Sequence, residues 1–150
     1  VCSSDLLIKK YLPIINKNIN NYLSKLGLFV SFTLNENFEE TIKSRHRDEF
    51  VYNNFSEGEK LRIDLSVLLT WRMVAKQKNS VSCNILIFDE ILDRAMDFEG
   101  VDEFIRIMWD QGHGGMNVFV ISHSENMKDK FQRTIEFEKV KNFSVMKDIS

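Results

Sequence analysis

Four short segments carry side chains whose types and spacing could act on a charged ligand. The run Ile85-Leu86-Ile87-Phe88 ends in two adjacent carboxylates, Asp89 and Glu90. Four apolar residues in a row read as a strand buried on both faces of a parallel sheet. Such a strand would deliver the carboxylates to the sheet's carboxyl edge, where open α/β sheets bind ligands. Neighbouring side chains point to opposite sides of a strand, so the pair suits two separate tasks better than one shared proton. One carboxylate can hold the magnesium of a nucleotide, and the other can orient a water for in-line attack on the γ-phosphate. Upstream, Asn53-Asn54-Phe55-Ser56-Glu57-Gly58-Glu59-Lys60 opens a helix with a serine, a glycine and a positive helix end, the parts of an anion site. Downstream, Val118-Phe119-Val120-Ile121 repeats the apolar run and ends in Ser122-His123, while Asp93-Arg94-Ala95-Met96-Asp97 follows the carboxylate pair. Each segment also has a plainer reading: a solvent-edge Asp-Glu, a serine N-cap with an acidic first turn, an incidental histidine.

Taken together, in this order and on these element ends, the segments resemble the ABC-type ATPases of the SMC and SbcC class. Ile85 to Glu90 has the form of a Walker B strand, and Phe55-Ser56-Glu57-Gly58-Glu59 resembles the ABC signature motif. His123 resembles the switch histidine that reports the γ-phosphate, and Asp93 to Asp97 resembles the D-loop. Met96-Asp97 stands where the family has Leu-Asp, and the spacing from Glu90 is one residue longer than usual, which leaves the D-loop register open. Tyr11-Leu12-Pro13, Glu39-Glu40-Thr41-Ile42-Lys43-Ser44-Arg45 and Phe55 to Asp64 extend the likeness to the large subunits of tailed-phage recombination endonucleases, over nearly the whole chain.

That resemblance implies Asp89 on the metal, Glu90 on the attacking water and His123 on the γ-phosphate, with ATP and Mg2+ as ligands. Ser56, Gly58, Glu59 and Asp97 would meet nucleotide across a homodimer of heads. It also implies a P-loop lobe from the N-terminal part of the same protein, a metal-dependent nuclease partner, DNA, and the cytoplasm of an infected bacterial host. Glu57 stands where the family usually has glycine, and Ile91 where transporters have proline. No Gly-x-x-x-x-Gly-Lys-Ser/Thr occurs in the 150 residues, so the triphosphate has no cradle here and the chain alone is expected to be inactive. The alternatives are a structural SMC-like DNA tether, a transporter nucleotide-binding domain, and a non-catalytic α/β interaction domain. The transporter reading predicts a helical subdomain ahead of the signature.

The elements that must position these residues follow from periodicity. Leu7, Tyr11, Ile14, Ile15, Ile19, Tyr22, Leu23 and Leu26 recur at steps of three and four, one face of a helix over Leu6–Leu26. Pro13 marks a kink or a second start within it, and Gly27 ends it. Phe29–Leu34 and Phe38–Lys43 read as a hairpin across Asn35-Glu36-Asn37, and Ser44–Asn54 as a polar connection. Gly58–Lys76 reads as a second helix with Leu61, Leu65, Leu68, Leu69 and Val74 inward. Gly100–Asp110 reads as a third, with Val101, Phe104, Ile105, Met108 and Trp109 inward. A short helix over Ser124–Phe131 and two closing strands, Thr134–Val140 and Phe143–Lys147, complete the pattern. Strand and helix alternation in this half predicts α/β. The resemblance makes it the C-terminal lobe of an ABC head over residues 28–150, mostly parallel sheet with flanking helices. Residues 1–27 would be the end of a returning coiled coil, where family members dock the nuclease.

Bulk properties bound the rest. At 150 residues with 43% hydrophobic side chains, the chain can form one core. The 20 Lys and Arg nearly cancel 22 Asp and Glu, so no global positive field draws it onto nucleic acid. Local DNA contacts are left to Arg45, His46 and Arg47 and to Lys128, Lys130 and Arg133, although charge runs are usually solvated surface. Cys2 and Cys83 lack metal-ligand spacing, and a reducing cytosol suits them. No apolar run approaches the roughly 20 residues of a membrane span. The chain opens at Val1 in a segment already helical in pattern, which predicts truncation. Residues 1–6 match the translation of a sequencing adapter and are expected to be non-native.

Overall fold

The computed structural model describes residues 3–44, 47–77, 83–112 and 115–148. Helix α1 spans Ser3–Lys25 as one element, so no second segment starts at Pro13. Pro13 is exposed, and water can satisfy the carbonyl that its missing N–H leaves without a donor. Gly27, at φ 76°, ends the helix. Leu28 N–H donates to Leu23 O at 2.9 Å and Gly27 N–H to Ser24 O at 3.2 Å, the paired bonds of a Schellman cap.

Strands β1 (Val30–Leu34) and β2 (Glu40–Ser44) form the expected antiparallel hairpin. A third strand, β3 (Arg47–Phe50), pairs antiparallel with β2, within the stretch expected to be a polar connection. Its charged residues and the irregular register between Ile42 and Ser44 hide any alternation from a sequence reading. The free edge of β1 is closed by α1. Asn20 accepts from Phe32 N–H at 2.8 Å and donates to Phe32 O at 2.7 Å. Asn16 does the same for Leu34 at 2.8 and 3.0 Å. Four residues along a helix advance about 6 Å and two along a strand about 6.6 Å, so two amides one helical turn apart match alternate strand residues and satisfy an edge that would otherwise invite pairing.

After a 3-10 turn over Tyr52–Asn54, helix α2 spans Glu57–Gln77. It is buried on more than one face: Ile63 and Val74 join the core built on α1 and the hairpin, whereas Leu65 and Leu69 join a second core with α4. Ser66 and Thr70 are also fully buried. Leu68, expected inward, is exposed, because packing between two cores moves the buried arc away from it.

Strand β4 (Ile85–Asp89) pairs in parallel with β5 (Asn117–Ile121), Ile85 opposite Asn117 through Asp89 opposite Ile121. Between them lie the short helix α3 (Ile91–Ala95) and α4 (Phe98–Gly112). Phe88 meets Phe104 edge-on, centroids 4.9 Å apart, at the centre of the second core. Trp109, expected inward on α4, is 41% exposed. The short helix expected over Ser124–Phe131 takes the 3-10 form over Glu125–Lys130. Strands β6 (Ile135–Val140) and β7 (Phe143–Asp148) form an antiparallel hairpin. Lys141 (φ 47°) and Asn142 (φ 70°) make its tight turn, the positive-φ pair that matches strand twist. The architecture is the α/β arrangement expected of an ABC head lobe, but in place of a mostly parallel sheet the described residues form one parallel pair, β4–β5, beside two antiparallel sheets.

One expectation about β4 and β5 changes. Leu86, Phe88, Val118 and Val120 pack toward the core, but on the other face Ile85, Ile87, Phe119 and Ile121 are 45%, 60%, 55% and 49% exposed. The strands are apolar on both faces and covered on one.

Candidate functional site

Strand β4 ends at Asp89, on the same uncovered face as Ile85 and Ile87, since alternate residues share a side. Its carboxylate is exposed. It makes no hydrogen bond or ion pair with any described residue. Among the described residues no group of three His, Cys, Asp or Glu could hold a metal by protein ligands alone. A single free carboxylate nevertheless fits magnesium, which keeps waters and takes phosphate oxygens as its other ligands.

Glu90 leaves the strand in the left-handed region, φ 53° and ψ 9°, and stands as the N-terminal cap position of α3. A glutamate is rarely found there, and the conformation costs on the order of 1 kcal/mol or more. It is held by its N–H, which donates to Ile121 O at 2.9 Å and so extends the β4–β5 ladder by one bond. The turn swings the Glu90 side chain toward the end of β5, where Oε1 lies 2.8 Å from His123 Nε2. Thirty-three residues apart in sequence, the carboxylate and the imidazole are thus brought together by the register of two parallel strands. Both side chains remain open to solvent.

Sequence context groups Asp93 with the D-loop-like segment, whereas the structure places it in this cluster. From the first turn of α3 its Oδ2 accepts the His123 backbone N–H at 2.7 Å, and its Oδ1 accepts the Ser122 hydroxyl. Ser122 Oγ in turn accepts Ser124 N–H at 3.0 Å. The sequence signal for it is a carboxylate three residues after Glu90, a spacing that places both on one side of a helical turn.

The signature-like segment is organised locally. Ser56 precedes α2, and its N–H and hydroxyl both donate to Glu59 Oε2, at 2.9 and 2.8 Å. Glu59 N–H reaches back to Ser56 Oγ at 3.4 Å. This is the reciprocal capping box, the plainer of the two readings of Ser56, and it uses the hydroxyl that a phosphate would meet. No hydrogen bond or ion pair joins Ser56, Gly58 or Glu59 to Asp89, Glu90 or His123 among the described residues.

Asp97 caps α4: its Oδ1 accepts Gly100 N–H at 3.0 Å. The same oxygen pairs with Arg62 of α2 at 2.7 Å, tying the helix that starts at the signature-like segment to the segment that resembles the D-loop. A Cβ on Gly100 would come within 2.7 Å of the Arg62 guanidinium and 2.8 Å of Asp97 Oδ1. Glycine is what lets that pair lie across the start of α4.

Of the candidate DNA contacts, Arg45 and His46 lie outside the described residues and Arg47 opens β3. Lys128 pairs with Glu125 at 2.9 Å and Glu136 at 3.3 Å, and these carboxylates, Glu125 foremost, hold its ammonium pKa above the usual lysine value. Lys130 pairs with Asp102. Both charges are therefore engaged within the lobe, as solvated surface charge commonly is. No helix among the described residues is long and apolar enough to cross a membrane.

No family model matches the chain. It is 44% identical over 140 residues to the exonuclease subunit 2 of Enterobacteria phage T4, covering 93% of this chain and 25% of that protein. It is 42% identical, with the same coverage, to the corresponding subunit of Escherichia phage RB69. The chain thus spans about a quarter of the length of these relatives. Among solved structures, it superposes on one from work on ATP-driven dimerization and DNA-stimulated activation of SMC ATPases, with a TM-score of 0.75 and 18% identity over 97% of this chain and 89% of that one. The Smc head domain with coiled coil and joint from Pyrococcus yayanosii gives 0.75 and 20% over 95% and 28%. The SMC head domain from Thermotoga maritima gives 0.63 and 19% over 97% and 52%. At such identities the structural likeness establishes the fold.

Proposed function

We propose that the chain, which is similar to the phage exonuclease subunit 2 proteins and has the fold of an SMC head, is the C-terminal ATPase lobe of an SMC/SbcC-type subunit and supplies one half of an ATP-hydrolysing site whose P-loop half comes from another part of the protein. The observation that carries this reading is the meeting of Glu90 and His123 at the carboxyl edge of β4–β5, 2.8 Å apart, beside the free carboxylate of Asp89. Open α/β sheets bind ligands at this edge.

In this reading Asp89 would hold a magnesium ion, which would supply neutralisation of phosphate charge when bound. Glu90 holds and orients the attacking water. His123 hands its Nε2 from Glu90 to the γ-phosphate when nucleotide enters, which frees the Glu90 carboxylate for that water. Ser56, Gly58, Glu59 and Asp97 face nucleotide bound by a second head. There Ser56 exchanges its bond to Glu59 for a phosphate oxygen, aided by the positive end of α2. The uncovered face of β4–β5, with Asp89 on it, is where the P-loop half packs.

We assign residues 1–27 to the end of a returning coil and 28–150 to the lobe. ATP binding would join two heads and hydrolysis release them, and this cycle would govern a metal-dependent nuclease partner on DNA in the host cytoplasm. Glu90→Gln in the full-length subunit tests the assignment: turnover should fall by about 100-fold or more while the ATP-bound dimer persists. Undiminished turnover removes Glu90 from the chemistry.

A further inference from the structure

We propose that Asp93 is the positioning residue that aims His123, a role resting on the functional reading above. An imidazole can be positioned by packing, by a bond at its tip or by restraint of its backbone. Packing is absent, because the His123 side chain is 80% exposed. Among the described residues its tip is bonded only to Glu90, and in the functional cycle that bond is exchanged. Backbone restraint therefore decides where the ring sits once Glu90 has released it.

Asp93 provides that restraint through two bonds from one carboxylate. It takes the His123 N–H at 2.7 Å and the Ser122 hydroxyl, and Ser122 Oγ then fixes Ser124 N–H. Three consecutive residues at the end of β5 are thereby tied to the first turn of α3. That turn also begins at Glu90, since Asp93 N–H closes on Glu90 O at 3.3 Å. Glu90 itself is bonded to the residue before Ser122, through Ile121 O. The result is a closed ring running from Glu90 through α3 to Asp93, across to His123, and back through β5 to Glu90. Bonds to a carboxylate are roughly twice as strong as neutral ones at both places, but those of Asp93 are made to Ser122 and the His123 backbone, which no reactant displaces, so this clamp remains when the contact at the imidazole tip is exchanged. The two groups expected to handle water and γ-phosphate are held at a set separation by a residue that touches neither reactant.

The test is a double-mutant cycle in the full-length subunit with Asp93→Ala, His123→Ala and the pair, reading kcat and KM for ATP together with the melting temperature. Misplacing a group by about 1 Å can cost on the order of 100-fold, so Asp93→Ala should lower kcat by about that factor and leave KM within about twofold. Asp93→Asn, which retains an acceptor oxygen, should fall between. In the His123→Ala background Asp93→Ala should cost less than about threefold more, because residues that act through one another are not additive. Full additivity, or an unchanged kcat in Asp93→Ala while His123→Ala is impaired, overturns the positioning role alone. An unimpaired His123→Ala overturns the functional reading of the site and the positioning role with it. A fall in kcat that tracks a lowered melting temperature and persists in the His123→Ala background assigns Asp93 to general stability and refutes the proposal.

Discussion

If a P-loop half packs on the uncovered face as proposed, replacing Ile87 and Phe119 together with lysine should weaken that association while leaving this chain's own fold intact. The two residues are cross-strand neighbours in the β4–β5 ladder, 60% and 55% exposed, and flanked on the same face by Ile85 and Ile121. Fully burying such a side chain is worth about 1.5–3 kcal/mol. With slightly more than half of each still exposed, each has about 1–1.5 kcal/mol to gain when the face is covered. The double substitution therefore forfeits about 2–3 kcal/mol of lobe–lobe association, a factor of roughly 30 to 150 at 1.4 kcal/mol per decade. Burying two ammonium groups adds further cost. The opposite face is untouched, so the Phe88–Phe104 contact survives, and the melting temperature of the isolated lobe should hold. Calorimetric titration of the separately expressed P-loop lobe into this chain measures the effect, and the wild-type binding should carry the negative heat-capacity change of apolar burial. Leu68→Lys, an exposed apolar residue on α2, serves as the control. Affinity of the double variant within threefold of wild type would show that the bare face is ordinary surface.

Three further outcomes follow from the geometry. Asn20→Ala should lower stability by about 1–3 kcal/mol in urea denaturation, because it strands the Phe32 N–H and carbonyl that Asn20 now satisfies at 2.8 and 2.7 Å; a loss below about 0.5 kcal/mol would mean the β1 edge finds other partners. Ser56→Asp should keep the lobe within about 1 kcal/mol of wild type as an acceptable N-cap yet abolish ATP-dependent head dimerisation in sedimentation, whereas a persisting dimer would confine Ser56 to capping. Desolvation, then the Asp64 carboxylate that accepts its hydroxyl at 2.9 Å, push Tyr52 up to about 12 from 10.0. Because the folded value lies above the unfolded one, this contribution is whole below pH 10 and disappears as pH rises toward 12. The alkaline loss of stability in that window should be smaller in Tyr52→Phe, and equal losses would deny the phenol a role.

Much of this protein could be read from residue order. The apolar strand ending in Asp89, the serine-led helix and the second strand running toward His123 stand where period, caps and turn residues put them, because those signals are local. Gly27 ends α1 for the same reason: a left-handed cap needs only one residue type. The phage likeness was likewise a matter of short blocks of sequence, and the relatives bear it out. β3 was invisible because its charged residues carry no apolar alternation, and the 3-10 form of Glu125–Lys130 because a six-residue polar stretch has too little periodicity to separate the two helices. Asp93 was assigned by its neighbours in sequence, and its partners lie about thirty residues away.

Sequence by itself determined where most of the strands and helices would lie, β3 excepted, and which side chains would end them. Tertiary structure alone decided which of those ends meet. The parallel register sets Glu90 against His123, helix α1 presents Asn16 and Asn20 to an open strand edge, and Arg62 reaches Asp97 across 35 residues. Periodicity reports that both faces of β4 and β5 avoid water, but a residue's hydrophobicity carries no record of what will cover it. Only the packed chain shows one face filled by α4 and the other still bare, with Asp89 at its edge.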